Sequence, residues 1–219
     1  MSVNPEQMNV FEMIVKGGWL MIPILILSII AVFIFFDRWL YLRKVATQDN
    51  KFIASIKTEL LLGNTKKCID ICKTEDSPMS RMLIKGIIHH KLGANEVLKI
   101  VENNANSEID KLERGLNTLS TCGSLGPMVG FLGTVLGMIQ AFYDMALAGN
   151  NINISLLSRG IYTAMVTTVA GLIVGIICNV ASSALSATIN KIINKMDDSS
   201  SEFMDIIYEL NSNKITLES

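Results

Sequence analysis

Four threonines and an asparagine set in apolar sequence are the side chains best suited to handling protons: Thr134, Thr163, Thr167, Thr168 and Asn179. A hydroxyl both donates and accepts a hydrogen bond. At bilayer depth it either bonds back to its own helix or contributes to a polar lining. The small-residue faces beside these five side chains favour a lining. No Asp, Glu, His, Lys or Arg occurs from Leu116 to Tyr143, or from Gly160 to Asn190. A membrane proton relay ordinarily needs a titratable group. If protons move here, a partner must supply the carboxylate, and the hydroxyls would solvate it or pass protons through water.

Two charges, Asp144 and Arg159, stand between these stretches. Asp144 is expected at the outer end of its helix, not at the midplane. A pair with Arg159 across the turn would contribute little if exposed.

The flanking sequence is rich in glycine. Gly123, Gly126, Gly130, Gly133 and Gly137 recur at alternating spacings of 3 and 4. That keeps them on one helix face for about four turns. Gly126/Gly130 and Gly133/Gly137 are G-x-x-x-G pairs, which let a neighbouring backbone come close. Pro127 is expected to kink this arm and free a carbonyl. Downstream, Gly160, Ala164, Thr168, Gly171, Gly175, Cys178 and Ser182 form a second small stripe. Packing of the two arms on each other is one use for such stripes. A smooth inner wall against which a central helix could turn is the other, and the helix instability that glycine brings calls for a functional reason.

These arms sit in a chain of 219 residues, 50% hydrophobic and only 18% charged, with mean hydropathy +0.41. A soluble domain ordinarily carries more charge, and an apolar run of about 20 residues crosses a bilayer. The expected fold is all-α and polytopic: three transmembrane helices, with long helices extending into a cytoplasmic helical domain. The first span covers 17–37, between Trp19 and the Trp39/Tyr41 belt, with Pro23 near its start. The second covers 118–146 and the third 158–187, joined by an outer turn at 147–157. A short amphipathic segment, Met8–Val15 within 1–16, precedes them on the outside. Glu6 and Glu12 outnumber Lys16 there, so it does not read as a cleaved signal.

Basic residues set the orientation. Of the 19, only Lys16 and Arg159 fall outside the 38–117 segment and the tail after Asn190. The positive-inside rule then places the N-terminus outside and both 38–117 and 188–219 in the cytoplasm. The cytoplasmic segment has helical spacing in Ile53, Ile56, Leu60 and again in Val97, Ile100, Val101. Asn64-Thr65, Ser77-Pro78 and Gly93-Ala94-Asn95 read as breaks or helix starts. Glu96–Leu116 is expected to continue into the second span, and the third span to run on into Thr188–Met196.

Other classes fit poorly. A net charge of −1 gives no nucleic-acid footprint. Cys68 and Cys72 near His89-His90 lack the spacing of a strong zinc site, so no metal and no cofactor is expected. There is no H-E-x-x-H, no membrane aspartate pair and no Ser-His arrangement, so an enzyme is not expected. Three spans without an inverted repeat do not suit a solitary carrier. A non-conducting oligomeric scaffold would use the same glycine stripes; it should tolerate Val at the four threonines, whereas a proton path should not.

The segments GPMVGFLGTVLGMI and GIYTAMVTTVAGLIVGI resemble the signature of the MotA/TolQ/ExbB proton-channel family, and the three spans and large cytoplasmic segment are similar too. Length and loop sizes are nearest to the ExbB branch, with TolQ the alternative. The resemblance implies a bacterial inner-membrane subunit of a motor driven by the proton motive force. It implies a pentamer around a dimer of ExbD-like single-span helices carrying a membrane aspartate, with a TonB-like protein receiving the work. It matches the family's pore-lining threonines to Thr134 and Thr168. Many relatives have a glutamate in a G-I-x-E-A pattern where this chain has Thr163, which throws the protonation step onto the partner's aspartate.

Overall fold

The computed structural model describes residues 17–46, 52–148 and 154–218. The expected outer amphipathic segment and residues 149–153 of the outer turn lie outside them. Every regular element among the described residues is a helix. In chain order they are α1 (Met21–Ala46), α2 (Phe52–Leu61), α3 (Thr65–Glu75), α4 (Pro78–Ile88), α5 (Ala94–Glu113), α6 (Leu116–Ala148) and α7 (Ile154–Glu218). Three of them, α1, α6 and α7, are long and apolar enough to cross a membrane. The chain divides into two compact units, one of residues 1–37 and 115–184, the other of 38–114 and 185–219.

In the first unit, α1 begins at Met21 rather than Gly17. Gly18 takes a left-handed φ of +74°, and the Met21 amide donates to its carbonyl at 3.1 Å. Pro23 therefore falls in the first turn, where its missing N–H costs least. Leu20, Met21, Ile24 and Ala31 are buried, while Ile22, Ile26, Ile29 and Phe33 are exposed. An apolar surface of that kind suits lipid or neighbouring helices.

The second unit has a conventional core. Helices α2 to α5 pack consecutively. Ile53, Ile56 and Leu60 of α2, Met82, Leu83 and Ile87 of α4, and Val97, Val101 and Leu112 of α5 are buried. The helix starts fall at the expected breaks. Ser77 caps α4: its Oγ accepts from the Ser80 amide, Ser80 Oγ accepts from the Ser77 amide, and Pro78 opens the helix. Cys68 and Cys72 are core residues, and burial pushes the Cys72 thiol up to about 12, with Cys68 beside it adding to the effect. His89 and His90 sit at the end of α4, with ring nitrogens 2.8 Å from backbone carbonyls.

One expectation about continuity fails and one is met. The helix carrying Glu96 does not run into the second span. It stops at Glu113, and Gly115 takes a φ of +83° before α6 begins. Only glycine adopts that conformation without strain, so the chain turns there. The third span does run on through Thr188–Met196: α7 is one helix of 65 residues that continues past that point to Glu218. Its last part is anchored: Ile189, Ile192, Met196, Phe203, Ile206 and Ile207 are buried, and Ser199 Oγ donates to the Lys195 carbonyl at 2.7 Å.

An ion cluster centred on one buried carboxylate links α4 and α5. Glu108, with a side chain only 8% exposed, accepts from Arg81 Nε at 2.9 Å and from Lys111 Nζ at 2.6 Å. Arg81 also donates to Asp76 Oδ1 at 2.8 Å. Burial pulls the Arg81 pKa down, and the bonds to Asp76 and Glu108 outweigh that and raise it.

Phe203 is the largest fully buried side chain. It lies over Gly86, where an added Cβ would come within 2.8 Å of the Phe203 ring. Phe203→Ala should destabilise this unit by ~3–5 kcal/mol. Thermal unfolding of the purified protein in mild detergent tests this; an unchanged midpoint would contradict the packing.

Candidate functional site

The site is built on α6 and the first part of α7. Its foundation is backbone proximity. A Cβ on Gly126 would lie 2.9 Å from the Gly171 carbonyl and 3.2 Å from the Gly175 nitrogen. A Cβ on Gly130 would lie 3.1 Å from both the Thr167 carbonyl and the Thr168 Cα. One on Gly137 would meet Ala164 Cβ at 2.8 Å, and one on Gly160 would meet Ala141 Cβ at 2.5 Å. Gly175 makes room for the Pro127 ring, whose Cδ would be 2.6 Å from a Cβ there. A Cβ on Gly133 would collide with the Thr167 side chain. The two glycine stripes thus face each other inside the hairpin. Gly126, Gly130 and Gly171 face backbone of the sibling helix, and Gly133, Gly137, Gly160 and Gly175 face its side chains.

The five candidate polar residues do not form one lining in the described chain. Thr168 Oγ1 donates to the Gly130 carbonyl at 2.9 Å, a bond from α7 to α6. Thr167 is buried and donates to its own helix at the Ala164 carbonyl, 2.8 Å. Thr134 does the same at the Phe131 carbonyl, 2.6 Å. Asn179 is exposed beside Gly123, where a Cβ would come within 2.6 Å of its Oδ1. Thr163 is half-buried.

Thr163 and Thr167 do share a space. A cavity of about 520 Å³ opens at the end of the hairpin that carries Asp144 and Arg159, and its wall includes Gln140, Asp144, Arg159, Thr163 and Thr167. Gly17 and Gly18 border it, and a Cβ on Gly18 would lie 3.6 Å from Thr163 Cγ2. The expected Asp144–Arg159 pair is not formed among the described residues. Asp144 Oδ1 instead accepts from Gln140 Nε2 at 2.8 Å. The spacing held a clue to Gln140: it and Asp144 lie 3 and 7 residues past Gly137 and prolong its stripe. Arg159, Thr163 and Thr167 follow each other at i, i+4 on α7 in the same way. Among the described residues no cluster of three or more His, Cys, Asp or Glu side chains gathers as a metal site.

The described chain is α-helical, with three helices long and apolar enough to cross a membrane and a glycine-packed hairpin that ends in a polar cavity. Residues 74–198 match the MotA/TolQ/ExbB proton channel family, and the chain belongs to it. It is 28% identical over 158 residues to biopolymer transport protein ExbB-like 3 of Synechocystis sp., covering 71% of this chain and 75% of that one. It is 26% identical over 165 residues to the biopolymer transport protein ExbB homolog of Methanothermobacter thermautotrophicus, covering 75% of this chain and 58% of the relative. Over 68 residues it is 38% identical to the Tol-Pal system protein TolQ of Haemophilus influenzae, covering 31% of this chain and 29% of the relative. The chain thus spans less than two thirds of the length of the second and third.

Two substitutions separate packing from hydrogen bonding. Gly171→Ala would place a methyl against the Gly126 carbonyl and 3.0 Å from Gly130 Cα. It should cost ~1–3 kcal/mol by overpacking. Thr168→Val keeps the shape, removes one interhelical bond and should cost less, about 0.6 kcal/mol. Thermal unfolding in detergent ranks the two; a larger loss for Thr168→Val would reverse the assignment.

Proposed function

We propose that this chain is the ExbB-like subunit of a motor driven by the proton motive force, which with an ExbD-like partner energises TonB-dependent outer-membrane transport. The observation that carries the reading is a proton-channel-family hairpin without an acidic side chain in its depth. From Leu116 to Tyr143 and from Gly160 to Asn190 the sequence supplies hydroxyls and no carboxylate. A proton path of this kind must borrow its titratable group from a partner. A dimer of single-span helices, each carrying a membrane aspartate, would supply it inside a pentamer of this chain. One charge crossing 100 mV is worth about 2.3 kcal/mol, so several protons per stroke yield useful work.

The same reading places the protein in the bacterial inner membrane, N-terminus periplasmic and C-terminus cytoplasmic. Residues 17–37, 118–146 and 158–187 would be the membrane segments, with 38–117 and 188–219 in the cytoplasm. Thr134, Thr163, Thr167, Thr168 and Asn179 would border the path or position the helices that do. The local likeness to a TolQ protein keeps a TolQ-like envelope-maintenance motor as the second reading.

Native mass spectrometry of the complex purified in mild detergent tests the proposal. Five copies of this chain with two of a small single-span protein bearing a membrane aspartate are expected, and the partner's identity decides between the ExbD and TolR types. A homo-oligomer that never retains such a partner would instead indicate a non-conducting scaffold.

A further inference from the structure

We propose that the end of the second unit where the α2–α3 and α4–α5 turns meet is a docking surface for an acidic amphipathic segment of a partner protein. The inference is independent of the motor reading. It starts from exposure. Between 52 and 114 and between 185 and 211, the large apolar side chains that the described chain exposes are Leu61, Leu62, Ile88, Leu92 and Tyr208. One apolar side chain at a surface is ordinary, whereas a contiguous group marks a contact face.

Packing gathers these five. Cys68 Sγ lies 3.8 Å from the Ile56 carbonyl and Lys67 Nζ lies 3.5 Å from Glu59 Oε2, so α3 runs antiparallel to α2. Asp76, left-handed at a φ of +41°, and Ser77 turn the chain back into α4, which packs on α3. Arg81 meets Glu108 and Gly86 faces Val101, so α5 is antiparallel to α4. The C-terminal ends of α2 and α4 and the turns that follow them therefore fall together. Helix α7 reaches the same place. Ser199 Oγ is 3.2 Å from Met79 Sδ and the Phe203 ring covers Gly86, so α7 runs parallel to α4 and carries Tyr208 to the end of it.

Charge then selects the partner. Segments 61–67 and 85–92 hold Lys66, Lys67, Lys85 and Lys91 and no acidic residue. All four lysines are exposed. Lys67 is bridged to Glu59, while Lys66, Lys85 and Lys91 close no ion pair among the described residues. Leucines interleaved with cations suit an amphipathic helix whose apolar stripe covers the leucines and whose flank carries Asp or Glu. On α7, Asp205 and Glu209 are exposed on either side of Tyr208 in sequence. They would repel an acidic flank, so the segment lies with its acids toward the two turns.

Hydrogen–deuterium exchange of the full chain in lipid nanodiscs tests this with two synthetic probes. Both are helical peptides of about five turns with the same leucine face; one has glutamate and the other lysine on its polar face. The glutamate helix should protect 61–67 and 85–92, and the lysine helix should not. Lys85→Glu combined with Lys91→Glu should abolish the protection. Leu62→Ser, at a position 68% exposed and so outside the core, should weaken the glutamate helix at least about tenfold. No protection by the glutamate helix, or equal protection by both helices, would overturn the proposal. So would protection of these segments that needs no probe and rises with protein concentration, because a second copy of the chain would then cover the face.

Discussion

Everything in the membrane unit depends on how closely the backbones of α6 and α7 approach. Lipid is as apolar as leucine, so burying apolar side chains gives helices no reason to associate there. What remains is close packing and the hydrogen bonds it permits. Gly126 and Gly130 against Gly171 and Gly175 bring main chain onto main chain. Only at that separation does the Thr168 hydroxyl reach the Gly130 carbonyl of the other helix. In water this many glycines would weaken both helices. In hydrocarbon an unpaired backbone is far costlier, so the helices persist and the glycines cost little.

The same close approach explains where polarity is found. Along the glycine-packed length the hydroxyls turn inward to backbone carbonyls and are satisfied. Around the last glycines of the stripe, Gly133, Gly137 and Gly160, the larger side chains Gln140, Asp144 and Arg159 join the wall and a polar cavity opens. Elsewhere in the unit, a second cavity of about 470 Å³ lies among Ala31, Phe35, Val174, Ile177 and their neighbours, and its wall is almost wholly apolar. One cavity can hold water and ions; the other suits only hydrocarbon. The contrast arises from side-chain chemistry on the same three helices.

Much of this was legible in the sequence. The three spans follow from length and hydropathy. The starts of α3, α4 and α5 fall at the breaks before Thr65, Pro78 and Ala94, and at α4 the Ser77 cap and Pro78 set the start locally. The direction of the glycine stripes was not legible. A small-residue face announces a close neighbour without saying which, and the sibling helix and a central partner fit equally well. The break at Arg114–Gly115 was missed because a lone glycine near a helix end can be helical or left-handed, and tertiary packing chooses. The full length of α7 was missed because Asp197, Asp198 and the serines 199–201 look like a stop. In the fold Ser199 bonds back to Lys195 and Phe203 fills the core, and burial overrides the local preference.

The position of Thr163 draws these points together. It stands where many relatives of this family place a glutamate, yet its environment is already polar: the cavity it borders contains Asp144 and Arg159. Thr163 keeps a neutral hydroxyl on that wall. Between Leu116 and Asn190 the one acidic residue is Asp144, near the end of α6. Within the apolar lengths of α6 and α7, where a charge is dearest, the chain keeps hydroxyls and close-packed glycine.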